Sequence, residues 1–137
     1  MKVELSRFRI KRGKEARVDK WLATINSELP QHIPILDEEQ MKLEVIFRET
    51  IDGEQFLTWF SVQGDIGYDI SKSRHAVDQR HLRFADECID HDYGRRDAQP
   101  QVIMVPELVA RAMEWADPSA ARVPFENREK VHYKPGI

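Results

Sequence analysis

A single cysteine, Cys88, stands in the whole chain of 137 residues, so no internal disulfide framework and no Cys-rich zinc site is available. Long apolar runs are also missing. No stretch approaches the ~20 residues that span a bilayer, and the chain starts directly on a strand pattern, without the look of a signal or transit peptide. A basic excess is lacking as well: 21 Lys and Arg face 24 Asp and Glu, a net charge of -3 with the signs interspersed. A dedicated nucleic-acid binder concentrates positive charge on one face, which this chain does not. Gly64 and Gly67 have neither the spacing nor the helix-start context of a phosphate loop. These absences point to a cytoplasmic protein with neither nucleic acid nor membrane as partner, and they give no sign of a cofactor.

What the chain does carry is a clear order of periodicities. Residues 2–10 alternate as a strand, with Val3 and Leu5 on one face and Phe8 and Ile10 on the other. That change of phase predicts a bulge near Ser6 and Arg7, or a strand with partners on both faces. Residues 14–29 predict a helix, because Val18, Trp21, Leu22, Ile25 and Leu29 form one apolar stripe. Pro30 and Pro34 should stop it, leaving 31–40 as a connector with at most a short turn at Asp37 to Glu39. Strands at 42–50 and 55–63 flank Asp52-Gly53, a strong hairpin signal. Ser71 or Ser73 is placed to cap a helix over 74–90. A strand at 101–105 and a helix at 107–116, packing Leu108, Ala112 and Trp115, complete the pattern.

The order β-α-β-β-α-β predicts an α+β fold of the ferredoxin-like kind: an antiparallel sheet with both main helices on one face, in a single domain over residues 1–116. Residues 117–137 form a tail that wraps the domain or a partner, or is mobile. The hairpin has two distinct faces. Leu43, Val45, Phe47, Phe56, Phe60 and Val62 read as the face beneath the helices. Glu44, Ile46, Arg48, Leu57, Trp59, Ser61 and Gln63 then fall on the opposite face, too apolar for water and too polar for a dry core. Such a mixture suits a second copy of the chain, with a partly polar cavity between the subunits.

K-V-E-L-S-R-F-R-I-K-R-G-K-E at the start, V-I-F-R-E-T in the second strand, W-F-S-V-Q-G in the third and R-H-L-R-F-A-D-E-C-I-D in the second main helix carry a resemblance. The chain resembles a small, uncharacterised family of bacterial proteins in the dimeric α/β-barrel superfamily, over most of residues 1–115. That resemblance implies the fold and a homodimer, and no activity. The layout is more distantly similar to sugar mutarotases, antibiotic-biosynthesis monooxygenases and chlorite-dismutase-like domains, whose catalytic motifs are not matched here.

Two constellations are candidates for chemistry. On the helix over 74–90, Asp78 and His81 sit inside the apolar arc, about 60° apart and one turn from each other. A buried carboxylate can fix an imidazole tautomer and raise its basicity, which would make His81 a general acid or base; a satisfied core histidine beside a helix-start aspartate fits the same pattern. His75 extends the pair to H-x-x-D-x-x-H, yet i and i+6 diverge too far around a helix to hold one ion. Glu87 and His91, spaced i,i+4, sit at a fraying helix end. On the mixed sheet face, Glu44, Arg48, Ser61 and Gln63 around Trp59 would suit a carboxylate or sugar hydroxyls, or a dimer seam in which Glu44 pairs with Arg48. Cys88 reads as a buried, inert thiol. The expected function is a homodimer that binds a small polar molecule at the sheet face. The alternatives are a cofactor-independent enzyme acting on a small sugar or carbonyl compound, and a structural interaction module.

Overall fold

The alternation of side chains along each strand means that register alone decides which residues meet the helices. In the computed structural model of the chain, which describes residues 1–64 and 70–115 (the last two without their side chains), β1 (Lys2–Arg9), β2 (Met41–Ile51), β3 (Glu54–Gln63) and β4 (Arg96–Ala98) form one antiparallel sheet in the order β2-β3-β1-β4. The helices are α1 (Glu15–Ser27), α2 (Leu29–Glu38), α3 (Ala76–Cys88) and α4 (Glu107–Trp115). Registers Phe8↔Leu57, Ser6↔Trp59, Ile46↔Trp59 and Arg48↔Leu57 put these residues on a common face.

That face is the one the helices cover, the reverse of the expected assignment. Fully buried Val18 and Trp21 of α1 and Phe84 and Cys88 of α3 pack on Leu57, Ile10 and Ile89, with Phe8, Ile46 and Trp59 against the same cluster. Ile10 fixes the choice of face. It pairs with Ile89 just beyond α3, and the amide of Lys11 donates to the Cys88 carbonyl, so the end of β1 is tied to the end of α3. The open face receives Leu43, Phe47 and Ile51, which stay 38–49 % exposed.

Other elements also depart from expectation. β1 runs unbroken against β3 from Lys2↔Gln63 to Arg9↔Phe56 without a bulge at Ser6, so its change of phase reflects apolar partners on both faces. The prolines do not stop a helix at 30: α2 follows α1 almost at once, with Pro30 in its first turn, where no amide is needed, and Pro34 inside it. Gln40, at φ 56, then reverses the chain into β2. The fourth strand is the charged segment Arg96–Ala98, not 101–105, which has no regular structure. An edge strand needs only its backbone groups to pair. Asp97 is held besides by Ser6, whose hydroxyl donates to its carboxylate at 2.6 Å. In α4, Leu108 is 81 % exposed and Ala112 is exposed, so neither packs as expected. The expected tail at 117–137 lies outside the described residues.

The two faces should respond differently to truncation. Leu57→Ala, at a fully buried position, is expected to cost about 2–5 kcal/mol in urea unfolding, against under about 1 for the exposed Leu43→Ala. Equal costs would contradict this assignment of faces.

Candidate functional site

Where the helix-covered face passes from apolar to polar, the helices do not close on the sheet. A cavity of about 370 Å³ remains there, bounded by α1, α2, β2, β3 and α3. Leu22 and Ile25 of α1, Ile33 and Leu36 of α2, Ile46 of β2 and Trp59 of β3 give it apolar walls. Its polar groups are Asn26, His32, Glu39, Glu44, Asp78 and His81. The two candidate constellations are thus brought together, since Glu44 and Trp59 line the same space as Asp78 and His81.

Asp78 and His81 do not bond each other. The Trp21 indole N–H donates to His81 Nδ1 at 3.1 Å. An indole is only a donor, so the neutral imidazole carries its hydrogen on Nε2. Edge contacts with Trp59 and a tilted contact with Trp21 hold the ring between two indoles. Burial, reinforced by nearby His32 and only partly offset by Asp78, lowers the His81 pKa from 6.5 to about 4. His81 is therefore neutral at pH 7. Asp78 is buried in the first turn of α3, where the helix dipole favours its charge, and accepts a hydrogen bond from the Ser73 hydroxyl. The same hydroxyl accepts the amide of His75, so Ser73 organises the turn before α3. Contrary to expectation, neither Ser71 nor Ser73 caps the helix, whose N-cap is His75 without a side-chain cap bond.

Glu44 accepts the Trp59 indole N–H at 2.5 Å, and burial raises its pKa against the lowering effect of that bond. Glu39, which by its sequence belongs to a connector, is the least settled member. Only 8 % exposed, it has an Oε1 that meets no hydrogen-bond partner among the described residues, as does Oε1 of neighbouring Gln40. Burial, followed by the charges of Asp78 and Glu44, raises the Glu39 pKa from 4.5 to about 7. The only available signal was its place at the end of an apolar helical stripe, which the two prolines obscured.

The remaining candidates lie elsewhere. Arg48 turns away to Asp19, Gln55 and the Glu15 carbonyl, so it neither reaches the cavity nor pairs with Glu44. Ser61 is buried and accepts from Gln63, which also donates to Glu4; neither residue lines the cavity. His75 meets Glu38, Glu87 pairs with Lys14 and Arg17, and His91 with Asp86. Among the described residues, no group of three His, Cys, Asp or Glu side chains is arranged to hold a metal ion. Burial raises the Cys88 pKa, in keeping with an inert thiol.

Glu39 and His81 give opposite pH dependences. Folded Glu39 holds its proton up to about pH 7, against 4.5 unfolded, so its contribution to stability is lost as pH rises through that interval. His81 is neutral in the fold down to about pH 4, against 6.5 unfolded, so its contribution is lost as pH falls from 6.5 to about 4. Glu39→Gln should therefore gain on the parent as pH rises from about 5 to 8, by up to about 3 kcal/mol. His81→Gln should gain on its parent as pH falls from about 6.5 to 4. Urea titrations across this range test both, and curves parallel to the parent would refute the burial of these groups.

No curated protein matches this chain, and no solved structure does. A family of unknown function (DUF6176) matches residues 1–111, and the chain belongs to that family.

Proposed function

We propose that the protein binds a small polar molecule with an apolar body in the cavity between its helices and its sheet. The observation that carries this reading is the cavity's composition: aliphatic and indole walls on one side, and Glu39, Glu44, Asp78 and His81 converging on the other. Its volume of about 370 Å³ lies within the range of small-ligand pockets. A cavity left only by imperfect packing would be apolar, since buried polar groups without partners cost ~1–3 kcal/mol each. The indole N–H signals of Trp21 and Trp59 are natural reporters. A fragment screen by NMR should find compounds that move both signals, and Ile25→Trp, which narrows the space, should abolish those shifts while the protein stays folded. Fragments that move neither indole would count against the reading.

A second reading, a cofactor-independent enzyme that moves a proton on a small sugar or carbonyl compound, draws on Glu39. A carboxyl with a pKa of about 7 gives up and takes back a proton near neutrality, as a general acid–base catalyst must. Exchange of deuterium from solvent into a carbon acid next to a carbonyl would be expected, falling by about 10²–10⁴ in Glu39→Gln. Absence of exchange across a panel of such compounds would leave binding alone.

The strand order β2-β3-β1-β4, with α1 and α3 on one face, supports the ferredoxin-like arrangement of the dimeric α/β-barrel kind. We accordingly infer a homodimer, formed through the open face that carries Leu43, Phe47 and Ile51 rather than through the face of Trp59. Light scattering at micromolar concentration should give twice the chain mass, and Phe47→Glu should halve it. A parent protein already monomeric would refute this.

A further inference from the structure

We propose that the cavity's ligand is an organic cation: a small primary or secondary ammonium ion carried on an apolar body. This inference rests on the cavity being a binding site and names the class of molecule it takes. Three carboxyl groups reach the space from three elements, Glu39 at the end of α2, Glu44 on β2 and Asp78 on α3. No Lys or Arg is among the described residues lining it. Of the two histidines there, His81 already accepts the Trp21 N–H and stays neutral at pH 7. An anion entering would meet three carboxyl groups of like charge.

The carboxyl groups are not equally satisfied. Glu44 has the Trp59 indole and Asp78 has the Ser73 hydroxyl, but Glu39 Oε1 is buried without a donor among the described residues. An acceptor in that position can take an N–H or O–H from a bound molecule. An ammonium group supplies several donors and a positive charge to a carboxylate held near two others. Trp59 adds an aromatic wall suited to a cation, and Leu22, Ile25, Ile33 and Leu36 accept the hydrocarbon part. The titratable groups around Glu39 are His32 and Glu38 on α2, Glu44 on β2, His75 just before α3, and Asp78 on α3. With acidic groups predominant there, the bound cation favours the ionised form of Glu39, so binding near pH 7 releases a proton.

Three probes of nearly equal shape separate the outcomes: cyclohexylmethylamine, cyclohexylmethanol and cyclohexanecarboxylate. Calorimetry at pH 7 should show the amine binding at least about tenfold more tightly than the alcohol, and the acid not binding at about 5 mM. The amine's binding enthalpy should change with the ionisation enthalpy of the buffer, the signature of a released proton. Glu39→Gln should weaken the amine at least about tenfold and remove the buffer dependence, while weakening the alcohol less than the amine. Should that variant fail to fold, the ligand series on the parent protein still decides, and Glu44→Gln should also weaken the amine selectively. An alcohol or acid that matches or exceeds the amine would overturn the cationic assignment while keeping the cavity as a site. Failure of all three probes would overturn both.

Discussion

The Trp21 side chain is the point on which the molecule turns. Fully buried, it stacks on Phe84 of α3 with centroids 6.0 Å apart and planes within 3°, and it tilts against Trp59 of β3 at 6.1 Å. Its indole N–H reaches across to His81. One residue therefore joins the first helix, the third helix and the central hairpin, and fixes the tautomer of the histidine at the cavity wall. The bond also explains how an imidazole can remain among apolar groups: its acceptor nitrogen is satisfied by a donor that has no other use for its proton.

Below Trp21 the same sheet face carries two kinds of surface. Toward Leu57 and Ile10 it is a dry core; toward Glu44 the helices stand off and the polar groups gather. Burial there works against charge in both directions, holding a carboxyl protonated at higher pH and an imidazole neutral at lower pH. Such opposed shifts in one small space are common where proteins do chemistry or hold ligands.

Much of this was legible in the sequence. The pleat of β2 and β3, the hairpin at Asp52-Gly53 and the stripe of α1 follow from spacing alone. Which face the helices would take did not, because the open face is the more apolar of the two and so reads as the core. The decision lies in a long-range contact, Ile10 with Ile89, that no local pattern displays. β4 was missed because Arg96-Asp97-Ala98 pairs through its backbone and shows no strand-like side chains. α2 was hidden by prolines that its first turn and apolar face accommodate. Of the site, Asp78, His81, Glu44 and Trp59 were singled out for their chemistry, but as two separate groups. Glu39 was invisible because its importance comes from the space around it rather than from its neighbours in the chain.

α2 itself has an uncommon position. It borders the cavity, yet it buries no residue apart from the terminal Glu39, has no side-chain cap at its start and contains a proline that removes one of its own hydrogen bonds. Such a helix has little local stability of its own, whereas the sheet beneath is bonded along its whole length. The cavity thus has a weakly held helix for one wall and a firmly bonded sheet for its floor.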